Sequence, residues 1–97
     1  MNNELIGVWE LEPDDVTSLN LYGKMILQFK KNGDLIYNIY EGDKIQKVLL
    51  TYDTKDNIII TDQPSSPKKE KTEYQFLSKT RLKLYMNGVE STFKKIG

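Results

Sequence analysis

Apolar and polar residues alternate with a period of two along most of the chain, and turn residues interrupt the alternation roughly every 8 to 12 positions. Such alternation is typical of short strands that bury one face. Eight of these strands can be counted, and short connections join them except after the first and the fifth. The pattern predicts one all-β domain over residues 1–97, an eight-stranded antiparallel up-and-down barrel, because closure leaves no exposed sheet edge.

The first exception is the segment 13–23, PDDVTSLNLYG. Pro13 precedes two acidic residues, and Val16 and Leu19 lie three positions apart, which suits a helical turn better than a strand. We expect this turn to cover one end of the barrel.

Turn sequences predict the register of three hairpins. A three-residue NGD loop, with Gly33 in the left-handed region, sets Phe29 opposite Tyr37. The Gly-Asp turn that follows sets Tyr37 opposite Val48. An Asn-Gly turn at 87–88 predicts the last hairpin and sets Leu82 opposite Phe93.

The inward positions hold mostly bulky side chains, which include Ile58 and Ile60 of the fifth strand. The predicted barrel core includes Trp9, Phe29, Tyr37, Tyr74, Phe76, Leu84 and Phe93. The interior of an eight-stranded barrel is just wide enough to be filled by side chains or to hold one small ligand. A filled interior is the main expectation, and a cup for a small apolar ligand at one barrel end is the alternative.

Gly7 and Trp9 in GVW, the helical turn, and FKKNGDLIY in the second hairpin resemble small bacterial lipocalin-like (calycin-like) domains. Those domains often show Gly-x-Trp followed by Phe-x-x-x-Gly in a hairpin. The resemblance spans most of the chain and implies a barrel, whose role could be that of a carrier or an inhibitor. In larger lipocalins an arginine packs on the tryptophan, and the last strand here offers Lys94 and Lys95 instead.

Charge and the start of the chain bear on partners and compartment. Basic and acidic residues number 14 each, so the broad positive field of a nucleic-acid-binding protein is missing. The start, MNNELIGVWELE, shows no basic region followed by a long apolar run, and we expect no membrane insertion. We expect a cytoplasmic protein if Met1 is the natural start, and a secreted or periplasmic one if a signal was removed.

The residue types argue against catalysis. The chain has no histidine and no cysteine, which excludes catalytic triads, thiolate nucleophiles and imidazole metal sites. Asp14 with Asp15, and Asp53 with Asp56, are carboxylate pairs in predicted turns, where acids usually cap backbone amides. We therefore expect no enzyme, no catalytic residue, no metal site and no cofactor.

Five apolar residues point outward on three consecutive predicted strands: Ile26, Ile36, Tyr40, Ile45 and Leu49. Clustered exposed apolar residues often mark an interface. This outer patch predicts a homodimer or a partner contact, with simple strand propensity as the alternative explanation.

The second exception is TDQPSSPKKEKTEY, in which the connection 62–72 is longer than a hairpin needs. Two prolines make the segment semi-rigid and three lysines make it locally positive. The candidate binding residues are Asp62, Gln63, Pro64, Ser65, Ser66, Pro67, Lys68, Lys69 and Lys71. We expect them to meet an acidic patch on a protein partner, unless the lysines only solvate the loop and block edge pairing.

Three classes of function stay open: first a protein-binding module, then a small-ligand carrier, then an enzyme. The internal volume of the barrel distinguishes the first two, because an empty space of a few hundred cubic ångströms favours a carrier.

Overall fold

Eight antiparallel strands pair in chain order, and the first also pairs with the last, so that the sheet closes into a barrel. The computed structural model describes residues 3–64, 68–86 and 88–97. The strands are β1 Gly7–Leu11, β2 Lys24–Phe29, β3 Asp34–Glu41, β4 Lys44–Lys55, β5 Ile58–Asp62, β6 Glu70–Ser78, β7 Arg81–Met86 and β8 Val89–Lys95. A 3-10 helix, Asn3–Leu5, precedes β1, and the helix α1, Val16–Tyr22, follows it. The predicted all-β barrel with one short helix is confirmed.

The register agrees with the predicted one in two hairpins and differs in the other. Tyr37 lies opposite Val48, and Leu82 lies opposite Phe93, as predicted. In the β2–β3 hairpin, however, Phe29 lies opposite Leu35 and not Tyr37. The paired positions are one residue earlier on each strand than predicted, and the Lys30 amide donates to the carbonyl oxygen of Asp34. A shift of two residues leaves every side chain on its predicted face.

The inward face of β5 is the opposite of the predicted one. Ile59 and Thr61 are buried, whereas Ile58 and Ile60, predicted to point inward, are only partly buried. Thr61 lies opposite Tyr52, a buried residue of β4, and residues opposite each other share a face. The register with β4 therefore decides the face of β5, since three consecutive isoleucines carry no alternation.

The core is packed around Trp9, which is completely buried and donates its indole Nε1–H to the carbonyl oxygen of Leu5 at 2.9 Å. Its ring lies 6.2 Å from that of Phe76, and the Phe29 and Tyr52 rings meet edge to face at 5.1 Å. Of the predicted core residues, five are buried: Trp9, Phe29, Tyr74, Leu84 and Phe93. Tyr37 and Phe76 are partly buried and pack against this core.

A lysine occupies the position over the tryptophan. Lys95 lies opposite Trp9 in the β1–β8 pair, and its Nζ is 5.8 Å from the centre of the indole ring. Gly7 makes room for the end of the chain here, because a Cβ at this position would lie 2.6 Å from the carbonyl oxygen of Gly97. Its φ of 142° also favours glycine.

Candidate functional site

The up-and-down order brings alternate connections to the same end of the barrel. One end, called the open end below, carries α1, the β3–β4 turn, the connection 63–69 and the β7–β8 turn. The other end, called the closed end, carries the 3-10 helix, the remaining three turns and residues 96–97. Both predicted exceptions to the strand pattern, the helix and the insert, therefore lie at the open end.

A recess of about 560 Å³ opens inside the barrel at the open end. It is called the cup below, and its walls combine aromatic and aliphatic side chains with the charged side chains of Glu70 and Lys71. The wall residues include Tyr22 of α1, Met25, Tyr37, Ile39, Thr72 and Met86, with Glu70 at the rim. The expected filled interior is thus confined to the closed half of the barrel, and the open half holds a recess of ligand size.

Hydrogen bonds hold α1 in place against β8. Asp15 is the N-cap of α1, where its carboxylate accepts from the backbone N–H of Ser18 and also from that of Thr92 in β8. The hydroxyls of Ser18 and Ser91, both completely buried, are hydrogen-bonded at 2.8 Å, and the Ser18 hydroxyl donates its proton to the carbonyl oxygen of Glu90. The helix is therefore a fixed part of the cup wall.

The helix ends by placing an aromatic residue over the cup. Tyr22 donates its hydroxyl to the carbonyl oxygen of Met86 at 3.1 Å, which links the end of α1 to the end of β7. Gly23, with φ of 73°, then turns the chain into β2 and donates its N–H to the carbonyl oxygen of Leu19.

One wall of the cup combines a phenol with a carboxylate. Burial, and next to it the charge of Glu70, raise the pKa of Tyr37 to about 12, so its hydroxyl stays protonated at neutral pH. Within the described part of the chain, no hydrogen-bond partner of this hydroxyl is found. Glu70 forms an exposed ion pair with Lys68 at 3.3 Å. The cup therefore offers both a hydrogen-bond donor and an acceptor beside its apolar wall residues.

A smaller recess of about 160 Å³ lies beside the cup and shares Tyr37 and Glu70 with it. The insert contributes Gln63 and Lys68 to its wall, and the strands contribute Val48, Leu50 and Thr61. The roots of the insert thus border the barrel interior as well as the surface.

The insert is shorter than the predicted connection 62–72. Asp62 ends β5 and β6 already begins at Glu70, so Lys71 belongs to a strand and not to the loop. The carboxylate of Asp62 accepts from the backbone N–H of Lys68 at 3.0 Å, which joins the two roots of the loop. Pro64 and Lys69 are exposed. The other predicted loop residues, Ser65, Ser66 and Pro67, lie outside the described residues, as does Asn87 of the predicted Asn-Gly turn.

The five residues of the outer patch lie on the outer face of β2, β3 and β4, as predicted. Ile45 and Leu49 are the most exposed, at 62% and 59%. Asn38 and Lys47 lie opposite each other between the Tyr40–Ile45 pair and the Ile36–Leu49 pair, so polar side chains divide the patch. The homodimer through this face stays a prediction.

A second large recess of about 720 Å³ runs along β4 on the outside of the barrel. It is called the outer groove below. Ile36, Leu49 and Leu50 line its apolar part, Lys30, Lys47 and Asp34 its charged part, and Gln63 with Pro64 its far wall.

One member of each predicted carboxylate pair accepts a backbone hydrogen bond, but Asp53 lies within β4 and not in the predicted turn. Burial raises the pKa of Asp15, but the hydrogen bonds from Thr92 and Ser18 outweigh it and hold the pKa below its ordinary value. Asp53 accepts from the backbone N–H of Thr54 at 2.8 Å. Across the described ranges, no cluster of three or more acidic side chains could hold a metal ion, and no helix is long and apolar enough to cross a membrane.

The sequence prediction missed most of the cup. Five residues of its wall were not singled out as binding residues: Tyr22, Met25, Ile39, Glu70 and Thr72. Their position in the strands could have indicated them. Inward residues at the end of a barrel have fewer neighbouring side chains, so the space between them is filled less completely. In comparisons with protein-family models, with curated proteins and with solved structures, the chain matches none.

Proposed function

We propose that this chain is a non-enzymatic binding domain that takes a small, mainly apolar molecule into the cup. The observation that carries the proposal is the recess of about 560 Å³ at the open end, a size within the range of known ligand sites. Internal volume is the property that separates a carrier from a barrel acting only through its surface. The cup therefore favours the carrier over the protein-binding module as the first function.

The chemistry of the wall indicates the kind of molecule. Tyr22, Met25 and Met86 offer aromatic and thioether surface, which adapts to flat or irregular apolar shapes. Tyr37 can donate one hydrogen bond, and Glu70 can accept one. A ligand with an apolar body and one polar N–H or O–H group fits this arrangement.

The resemblance to lipocalin-like domains supports the same function, since carriers are among the roles such domains fill. The Lys95 ammonium lies over the ring of Trp9, where larger lipocalins pack an arginine. Trp9 lies in the packed core, so this contact would stabilise the barrel and leave the cup at the other end free for a ligand.

The test is a fluorescence titration of the chain with N-phenyl-1-naphthylamine, a neutral apolar probe with one N–H group. The variant Ile39→Trp places a larger side chain in the cup, and the matched control Ile36→Trp places it on the outer face of the same strand. We expect Ile39→Trp to weaken probe binding by about tenfold or more, and Ile36→Trp to bind like the parent chain. Emission at buffer level with the parent chain, or equal binding by both variants, would overturn the proposal.

A further inference from the structure

Two polar groups of the cup, Tyr37 and Glu70, are placed to contact the same part of a ligand. Both residues line the cup, and both also line the smaller recess beside it. The charge of Glu70 acts on the phenol of Tyr37, although no hydrogen bond joins these two described residues. A ligand group in this part of the cup can therefore contact both side chains.

The register of β6 directs Glu70 to the inside of the barrel. Glu70 lies opposite Thr61, which is buried, and residues opposite each other share a face. The next residue, Lys71, lies opposite Ile60 on the outer face, because successive side chains of a strand alternate. Lys71 therefore borders the cup from the outer face, and the charged side chain that β6 directs inward here is the carboxylate.

Glu70 can accept a hydrogen bond from a ligand and keep its ion pair. The Lys68 ammonium lies 3.3 Å from Oε1 of Glu70, and both side chains are largely exposed. A carboxylate has two oxygens, each with acceptor capacity to spare. Oε2 therefore stays able to accept from an N–H or O–H group of a ligand.

Tyr37 supplies the matching donor. Its pKa of about 12 keeps the hydroxyl protonated at neutral pH. Among the described residues this hydroxyl has no hydrogen-bond partner, whereas the hydroxyl of Tyr22 donates to the carbonyl oxygen of Met86. A partly buried donor without a partner is unfavourable, so an acceptor on the ligand would be bound preferentially.

Three kinds of polar end can be compared on one apolar body. A carboxylate accepts from Tyr37, but it has no proton for Glu70 and places a like charge beside it. An ammonium donates to Glu70 but leaves the Tyr37 hydroxyl without an acceptor. A primary carboxamide satisfies both residues, because its C=O accepts and its NH₂ donates.

We propose that the cup selects an uncharged ligand with an adjacent acceptor and donor, as in a carboxamide, with Tyr37 donating to its C=O and Glu70 accepting from its N–H. Tyr22, Met25 and Met86 would contact the apolar body. This inference rests on the proposed function, because it needs a ligand in the cup, and it adds the chemical class of that ligand.

The test is displacement of bound N-phenyl-1-naphthylamine by three compounds that share a naphthalene ring. They are 1-naphthaleneacetamide, 1-naphthaleneacetic acid and 2-(1-naphthyl)ethylamine, and at neutral pH the acid is an anion and the amine a cation. We expect the parent chain to bind the amide at least about tenfold more tightly than the acid or the amine.

Two variants assign the preference to its residues. Tyr37→Phe keeps the ring but removes the donor, and should weaken amide binding by about threefold to tenfold while leaving amine binding nearly unchanged. Glu70→Gln removes the negative charge, and should tighten acid binding and so narrow its gap to the amide. The matched control is Tyr40→Phe, on the outer face of the same strand as Tyr37, which should keep the preference of the parent chain.

The outcomes separate this inference from the proposed function. Acid or amine binding as tight as amide binding, in a chain that binds the probe, would overturn the inference and leave the proposed function standing. An amide preference that survives Tyr37→Phe and Glu70→Gln together would do the same. Backbone amide shifts centred on the outer groove when the amide is added would also overturn the inference. If neither the probe nor any of the three compounds binds, both are wrong.

Discussion

The two ends of the barrel are built from the same strands but are packed differently. At the closed end, Phe29 is buried edge to face against Tyr52. At the open end, the inward positions carry the partly buried Tyr37 and Thr72 and the exposed Glu70. Apolar side chains fill one end, and polar hydrogen bonds fix a helix beside a recess at the other.

This difference shows how one barrel can combine stability with a site. A well-packed interior gains dispersion and hydrophobic stabilisation, but it leaves no room for a ligand. Placing the large aromatic residues toward the closed end allows the open end to stay incompletely filled. The Asp15, Ser18 and Ser91 hydrogen bonds then help to hold α1 beside the recess.

The largest expected effect comes from truncating an aromatic residue at each end of the barrel. Phe29→Ala removes a buried ring at the closed end and should lower the free energy of unfolding by about 3 to 5 kcal/mol. Tyr37→Ala removes a ring that already borders the recess, and should cost clearly less, about 1 to 2 kcal/mol. Urea unfolding followed by tryptophan fluorescence measures both values.

If Phe29→Ala does not fold, Phe29→Leu against Tyr37→Leu gives the same comparison with a smaller volume change. Equal costs at the two ends would contradict the difference in packing on which the cup depends.

Much of the closed end could be predicted from the sequence, because alternation there is unambiguous. Trp9 and Phe29 were placed inward correctly, and a two-residue error in the β2–β3 register did not matter, since faces repeat every two residues. The predicted inward face of β5 was wrong. Ile58, Ile59 and Ile60 give no alternation, so the register with β4 decides which side chains of β5 point inward.

The open end could be predicted only in part. Pro13 and the acids after it indicated the helix, but nothing local showed that Ser18 would bond Ser91, which lies 73 positions away in the sequence. The sequence predicts that Glu70 belongs to a lysine-rich loop, whereas its pairing with Thr61 places it in a strand beside the cup. Long-range register, and not residue type, creates these contacts.

A smaller effect is expected at the bonds that fix α1. Ser18→Ala leaves the buried Ser91 hydroxyl and the Glu90 carbonyl without this partner, and should cost about 1 to 3 kcal/mol. The double variant Ser18→Ala, Ser91→Ala should cost much less than the sum of the single variants, because both remove one shared bond. Urea unfolding of the three variants measures this coupling, and simple additivity would show that the two hydroxyls do not act together.

The smallest expected effect is a loss of stability at the open end at low pH. The hydrogen bond from Arg81 lowers the pKa of Glu12, and the contacts of Asp15 give it a lowered pKa despite burial. A carboxyl group with a lowered pKa in the folded state adds stability above its ordinary pKa, and loses it as the pH falls through the folded value. The unfolding free energy should therefore decline below about pH 4.5, near the ordinary range of these groups.

This acid effect should begin at α1, because Asp15 caps the helix and binds the Thr92 amide at the same time. Amide exchange at Leu19 and Gly23, both bonded within or just after the helix, should rise at a higher pH than exchange at Trp9. Asp15→Asn keeps one acceptor oxygen but cannot titrate, so it should be less stable at neutral pH and show a flatter decline in acid. Asn38→Ala, a change on the outer face without a titrating group, should follow the parent curve. Simultaneous loss of protection at α1 and at Trp9 would show that acid acts on the whole barrel, and that the two ends are not separable in stability.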